Sequence, residues 1–196
     1  MGSYGYLQDT LNYFSASAYT RDSIAAASGF NAAAIFDPIW APDGLCMPAE
    51  SPLACEYRLI KPSVAIIMFG SVDVQLYDAN TFQNYLTQVV NYTIGQGIIP
   101  VLTTFPNGDS YYPAESETFN NAIRSIAASQ QIPLIDLRPQ ALALPNRGVG
   151  PDNFHLSHRG DAWIILTGEQ NQYGLTLRNL MTLQMLDTLR RTLGMN

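Results

Sequence analysis

Ser63-Val64-Ala65-Ile66-Ile67-Met68-Phe69 is a nearly unbroken apolar run ended by Gly70, with no polar residue on alternate positions. Such a run suits a central parallel strand covered on both faces. The period then changes. Phe82, Tyr85, Leu86, Val89, Val90 and Ile94 recur at three- and four-residue steps and stop near Gly95 and Gly97, which predicts an amphipathic helix. Ile98 to Phe105 predicts a second strand with Pro100 near its entrance. Phe119, Ile123, Ile126 and Ala127 predict a second helix, and Pro133 to Leu137 a third strand. This alternation predicts a three-layer α/β fold, a parallel sheet with helices on both faces joined by right-handed crossovers.

The two ends extend the pattern. Leu177, Leu180, Met181, Met185 and Leu189, with Leu186 beside them, predict a C-terminal helix whose apolar stripe is core, and Tyr6, Leu7, Leu11 and Phe14 predict a helix close to Met1. No linker, repeat or low-complexity tract divides the 196 residues, so one domain over 1–196 is expected, burying roughly 70% of its extended-chain surface. A formal net charge of −6 with no Lys/Arg cluster gives no footprint for nucleic acid or an anionic membrane, and a small neutral substrate fits better. No apolar run is long enough for a spanning helix, and no charged-then-apolar leader stands at Met1.

Cys46 and Cys55 share one Pro-rich segment. Two readings stay open, a disulfide closing a small loop in an oxidising compartment, or two reduced thiols. Neither has a second Cys or His at zinc spacing, so no metal site and no cofactor are expected.

The chemistry is concentrated in Asp152-Asn153-Phe154-His155. A carboxylate three residues ahead of an imidazole can fix the tautomer of a general base from one short loop. Ligands of open parallel sheets bind beyond the carboxyl ends of the strands, where Gly70-Ser71-Val72-Asp73, Pro106 to Ser110 and the Asp152 to His155 loop are all expected to fall. Asp73 reads as a base or, more simply, as the cap of its own turn. Asp152, His155 and His158 form a thin metal trio, with His158 better read as a surface or helix-start residue. The sequon Asn91-Tyr92-Thr93 lies on a predicted helix.

With these blocks in place the chain resembles the SGNH, or GDSL-type, serine ester hydrolases over nearly its whole length. Asp152 and His155 match the terminal Asp-x-x-His, Gly29 in Ala26-Ala27-Ser28-Gly29 matches the oxyanion glycine, and Gly70-Ser71-Val72-Asp73 matches the Gly-x-Asn-Asp block. Tyr4 to Gln8, Cys55 to Leu59 and Leu177 to Leu180 resemble a secreted bacterial branch. The resemblance implies a flavodoxin-like α/β fold and hydrolysis of acyl or acetyl esters of carbohydrates or small molecules. His155 would be the base, Asp152 its orienting acid, and Gly29, Gly70 and Asp73 the oxyanion and substrate side. With the Cys pair, it implies an extracellular or cell-envelope setting.

Two departures stand out. The Gly-Asp-Ser nucleophile block is missing, because Tyr4 to Gln8 is similar to sequence that normally follows it, and Val72 occupies the position of the oxyanion Asn. The resemblance therefore implies an N-terminally truncated domain without its first strand. Ser110 in Gly108-Asp109-Ser110 is the surrogate nucleophile, while Ser23 in Arg21-Asp22-Ser23-Ile24 and Ser3 have weaker claims. The alternative is a catalytically inactive relative that keeps the pocket for binding. The missing strand would leave a gap in the sheet, closed by Ser23 to Ala27 as a weaker fourth strand or by a homodimer through the exposed edge.

Overall fold

The computed structural model describes residues 2–15, 22–107, 111–160 and 166–195. They fall into two compact units, one formed by Arg21–Thr104 with Ala114–Leu134, the other by Met1–Thr20, Phe105–Pro113 and Ile135–Asn196.

The first unit holds the sheet as far as Leu134. Strands β1 (Val64–Ile67), β2 (Ile99–Thr103) and β3 (Leu134–Ile135) lie side by side in the order β1-β2-β3. β1 and β2 are parallel, in register from Val64 opposite Ile99 to Ile67 opposite Leu102. Ile99 N donates to Ser63 O, and Leu102 N to Pro133 O. Odd positions of β2 thus face β1 and even positions face β3. Pro100 is even, and it precedes the level at which β3 begins, so its missing N–H costs no ladder bond. The three expected parallel strands are present, each shorter than the apolar run that marks it. Gly70, at φ +125°, turns the chain three residues beyond the end of β1, and β3 ends because the short helix α5 (Leu137–Ala141) starts just after Asp136.

The helices of this unit are α2 (Pro52–Ile60), α3 (Ala79–Gly95) and α4 (Pro113–Gln130). Asp78 starts α3, its carboxylate accepting from Asn80 N and Thr81 N. The buried stripe of α3 is Phe82, Leu86, Val89, Val90 and Thr93, whereas Ile94 is 44% exposed. The stripe therefore includes a threonine that hydropathy passes over. Thr93 can be buried because its hydroxyl donates to Val89 O and lies 2.8 Å from the hydroxyl of Tyr57 on α2. Phe82 stacks on Phe119 of α4 at 4.7 Å between ring centroids, which joins the two helices over the core.

Ser51 and Pro52 start α2, and Lys61, in the left-handed conformation, ends it. Cys55 on its buried face forms a disulfide with Cys46, which selects the oxidised reading of that pair. Arg58 grips Glu50 inside the loop so closed, through Nε at 2.7 Å and Nη2 at 2.8 Å.

The fourth strand expected before Gly29 does not form among the described residues, and Ser23 to Ala27 does not pair with β1. Local bonds occupy the segment instead. Ala25 N donates to Ser23 Oγ, Ala26 N to Ser23 O and Ile24 N to Glu56 Oε2. A serine bonding its own neighbours competes with a ladder, and the alanines and glycine around it have little strand propensity.

In the second unit a 3-10 turn over Gly2–Leu7 leads into α1 (Gln8–Ser15), which packs on α6 (Gly174–Thr192). Leu7, Leu166, Leu180 and Leu183 form its core cluster. Leu180, Leu183 and Leu186 are the buried leucines of α6, so the stripe is turned away from Met181 and Met185. Thr10 Oγ1 donates to the buried carboxylate of Asp187, which also receives Arg191 Nε at 2.8 Å. Among the described residues no helix is long and apolar enough to cross a membrane.

Candidate active site

The histidine loop is built from bonds that each span only a few residues. A turn at Pro145–Gly148 passes through three left-handed residues, Asn146, Arg147 and Gly148. The side-chain amide of Asn146 steadies it by donating to Val149 O and Gly150 O. Val149 and Leu156 then form an antiparallel bridge, flanked by Gly150 N to His155 O at 2.8 Å and Ser157 N to Gly148 O at 2.9 Å. The loop between them is fixed by Asn153 N donating to Gly150 O.

Asp152 divides its carboxylate between backbone and ring. Oδ1 accepts from Phe154 N and His155 N, and Oδ2 lies 2.7 Å from His155 Nδ1. The bond from His155 and then the Phe154 amide hold this carboxyl at about 2, against an ordinary 3.8. It is therefore ionised at neutral pH and only accepts. Nδ1 must carry the proton in the neutral ring, which leaves a lone pair on Nε2. The imidazole side chain is 73% exposed. A concavity beside it is lined by Gly150, Pro151, Asp152, Leu156, Ser157 and His158. Phe154 packs edge-on against the His155 ring at 4.8 Å and Tyr111 lies 5.3 Å from Phe154, so one side of the imidazole is walled by aromatics.

A depressed carboxyl pKa favours folding above the unfolded value, near pH 4, and loses that effect as pH falls through about 2. The side-chain carboxyl carbon resonance of Asp152 should accordingly show a titration step with a midpoint near 2. A midpoint near 4 would show that the carboxylate is not held by the loop.

Ser157, which sequence reasoning missed, docks this loop. Its Oγ accepts from Gly174 N at 2.9 Å and its carbonyl from Leu175 N at 3.0 Å, so it caps α6 from a distance in sequence. Gly148 and Gly174 are pressed together there. A Cβ on Gly174 would sit 1.9 Å from Gly148 O. No local spacing announces such a contact.

The glycine corner belongs to the first unit. Gly29, at φ +82°, and Gly70 both need conformations that L side chains rarely adopt. Asp73 has no exposed surface, and its two carboxylate oxygens accept from Ala32 N at 2.8 Å and Gly70 N at 2.9 Å. Burial pushes its carboxyl above the ordinary value, outweighing the bonds from the Ala32, Gly70 and Asp73 amides. Asp73 thus ties the turn after β1 to the stretch just beyond Gly29, the turn-capping arrangement. Val72, beside it, starts the 3-10 turn Asp73–Gln75 and has no side-chain donor.

Ser110, with Gly108 and Asp109, lies outside the described residues. Ser23 uses its hydroxyl within its own turn, and Ser3 is exposed in the 3-10 turn before α1. His158 Nδ1 accepts from Gly160 N, and Asp152, His155 and His158 do not converge as a metal cluster. Among the described residues one cluster has potential ligand atoms within 4.8 Å of one another, Cys46, Glu50 and Cys55. Its sulfurs are bonded to each other and Glu50 is held by Arg58.

Comparison with known proteins agrees with this architecture. No curated protein matches the chain. Among solved structures, it is similar to the psychrotrophic esterase EstA from Pseudoalteromonas sp., with TM-score 0.56 and 16% identity over 96% of this chain and 86% of that one. It is also similar to a lipase/acylhydrolase from Enterococcus faecalis, with TM-score 0.52 and 18% identity over 69% of this chain and 66% of that one. A GDSL-like lipase from Bacteroides thetaiotaomicron gives TM-score 0.54 at 15% identity over 70% of this chain and 68% of that one. The chain spans just under two thirds of the Enterococcus protein. These likenesses establish the flavodoxin-like α/β fold. The family model of the GDSL-like lipases and acylhydrolases matches residues 5–163, most of the sequence and both of its compact units, and the chain belongs to that family.

Proposed function

We propose that this chain carries the base half of an ester hydrolase acting on acyl or acetyl esters of carbohydrates or small molecules, with His155 Nε2 taking the proton and Asp152 holding the ring. The observation that supports this is the 2.7 Å contact between Asp152 Oδ2 and His155 Nδ1, with Oδ1 pinned by two backbone amides. In this reading Gly29 is the oxyanion glycine, and Asp73, which holds the Gly70 amide, shapes the turn after β1 without touching substrate. The surrogate nucleophile in this reading is Ser110. The Cys46–Cys55 disulfide supports an extracellular or cell-envelope setting.

A second reading, a binding protein without turnover, is favoured by Val72 in place of an amide donor and by the engagement of Ser157. Ser157 lines the same concavity as His155, but its Oγ is bonded to Gly174 N. Losing one oxyanion donor alone costs turnover a factor of about 10² to 10³. Residues 1–196 should therefore show negligible turnover of short p-nitrophenyl esters and no stoichiometric labelling by a fluorophosphonate. Stoichiometric labelling that maps to Ser110 would establish it as the nucleophile. Absence of labelling, with ester analogues still shifting the His155 resonances, would establish the binding reading.

A further inference from the structure

The segment from Asp37 to Glu50 presents large apolar side chains to solvent. Ile39 is 79% exposed, Trp40 57%, Leu45 58% and Met47 58%. Scattered apolar residues on a surface need no explanation, but four within nine positions do. The loop that carries them is held rigid by the Cys46–Cys55 disulfide, by the Glu50–Arg58 pair and by Pro38, Pro42 and Pro48. It cannot fold its side chains back.

Two features of the loop choose the partner. Most of its backbone donors are satisfied internally, those of Asp43, Gly44 and Ala49 being the exceptions. Ile39 N donates to Asp37 Oδ1, Trp40 N to Asp37 O, Ala41 N to Pro38 O, Leu45 N and Cys46 N to Pro42 O, Met47 N to Glu50 Oε2 and Glu50 N to Met47 O, while the three prolines have no N–H. A loop with most of its amides already bonded enters an apolar medium at a much reduced cost in unpaired polar groups. The same feature leaves few groups for the rim hydrogen bonds of a protein interface. Charge supplies the second criterion. No Lys or Arg occurs from Asp22 to Tyr57, and Arg58 is taken by Glu50, so nothing attracts an anionic surface.

We propose that the Asp37–Glu50 loop is an interfacial loop that inserts Ile39, Trp40, Leu45 and Met47 into the surface of an uncharged or zwitterionic lipid. Interfacial binding scales with the apolar area inserted. That such a surface also presents acyl esters to the chain rests on the hydrolase reading above; the docking itself does not.

Cosedimentation with phosphatidylcholine vesicles tests this on the oxidised chain. The wild type should partition onto the vesicles, with no gain on adding phosphatidylglycerol. Ile39→Ser with Trp40→Ser should lower the partition coefficient at least tenfold, while Ile39→Leu with Trp40→Phe should keep it within about threefold, both variants retaining the wild-type circular dichroism. Failure of the wild type to bind, a loss below tenfold in the serine variant, or binding that requires phosphatidylglycerol would overturn the proposal. So would a wild-type dimer that the serine variant converts to monomer, which would assign the patch to a second copy of the chain. No turnover is read, so a chain that binds vesicles but hydrolyses nothing overturns only the hydrolase reading, and an active chain that ignores vesicles overturns only this one.

Discussion

Gly174→Ala is expected to destabilise the chain by about 3 kcal/mol or more, because the added methyl has nowhere to go. The Cβ would meet Gly148 O at 1.9 Å and the carbonyl carbon at 2.8 Å, and both are backbone atoms that no rotamer change can clear. Either α6 retreats or the turn at Gly148 does. Gly148 O also accepts from Ser157 N, and Ser157 holds the Gly174 and Leu175 amides, so either movement breaks the dock of the histidine loop. Chemical denaturation should show a lower midpoint at unchanged slope, and the His155 ring resonances should shift in the native state. A variant with wild-type midpoint and unmoved His155 signals would show that the loop does not depend on this contact.

Asp73→Ala should cost about 2 to 6 kcal/mol, since the Ala32 and Gly70 amides lose their acceptor inside the protein and each orphaned donor is worth about 1 to 3. Asp73→Asn separates shape from charge. It keeps the volume and one acceptor but turns an amide NH₂ toward a backbone N–H, so about half of that loss is expected. The pH dependence has the opposite sign to that of Asp152. Burial holds the Asp73 carboxyl above its ordinary 3.8, so its contribution favours folding below about pH 4 and is lost as pH rises through the raised value. The asparagine variant should lose that part of the pH profile. Equal stability of Asp73→Ala and wild type from pH 3 to pH 7 would remove Asp73 from the frame of the glycine corner.

What could be read in advance follows from how local the determinants are. Val64 to Ile67 and Ile99 to Thr103 were legible because strands covered on both faces are written as continuous apolar runs. The Asp152–His155 pair was legible because its members stand only three positions apart. Errors arose where a side chain's hydroxyl or a distant backbone decided the outcome. Thr93 replaces Ile94 in the buried stripe of α3 because Tyr57 and Val89 satisfy its hydroxyl, which hydropathy cannot register. Ser23 to Ala27 looked strand-like only by analogy, and its own serine draws it into a turn. Ser157 and the pairing of Gly148 with Gly174 join segments that sequence spacing does not connect. The exposed Ile39 and Trp40 were invisible for a related reason, since apolar letters alone do not tell inward from outward.

Every bond that shapes the imidazole–carboxylate couple begins and ends between Asn146 and Ser157, and a single contact region at the start of α6 receives it. Such a unit is portable. Its alignment is indifferent to whether any hydroxyl elsewhere in the polypeptide stands ready to be deprotonated, so the couple would keep its shape through the loss, or the restoration, of a nucleophile.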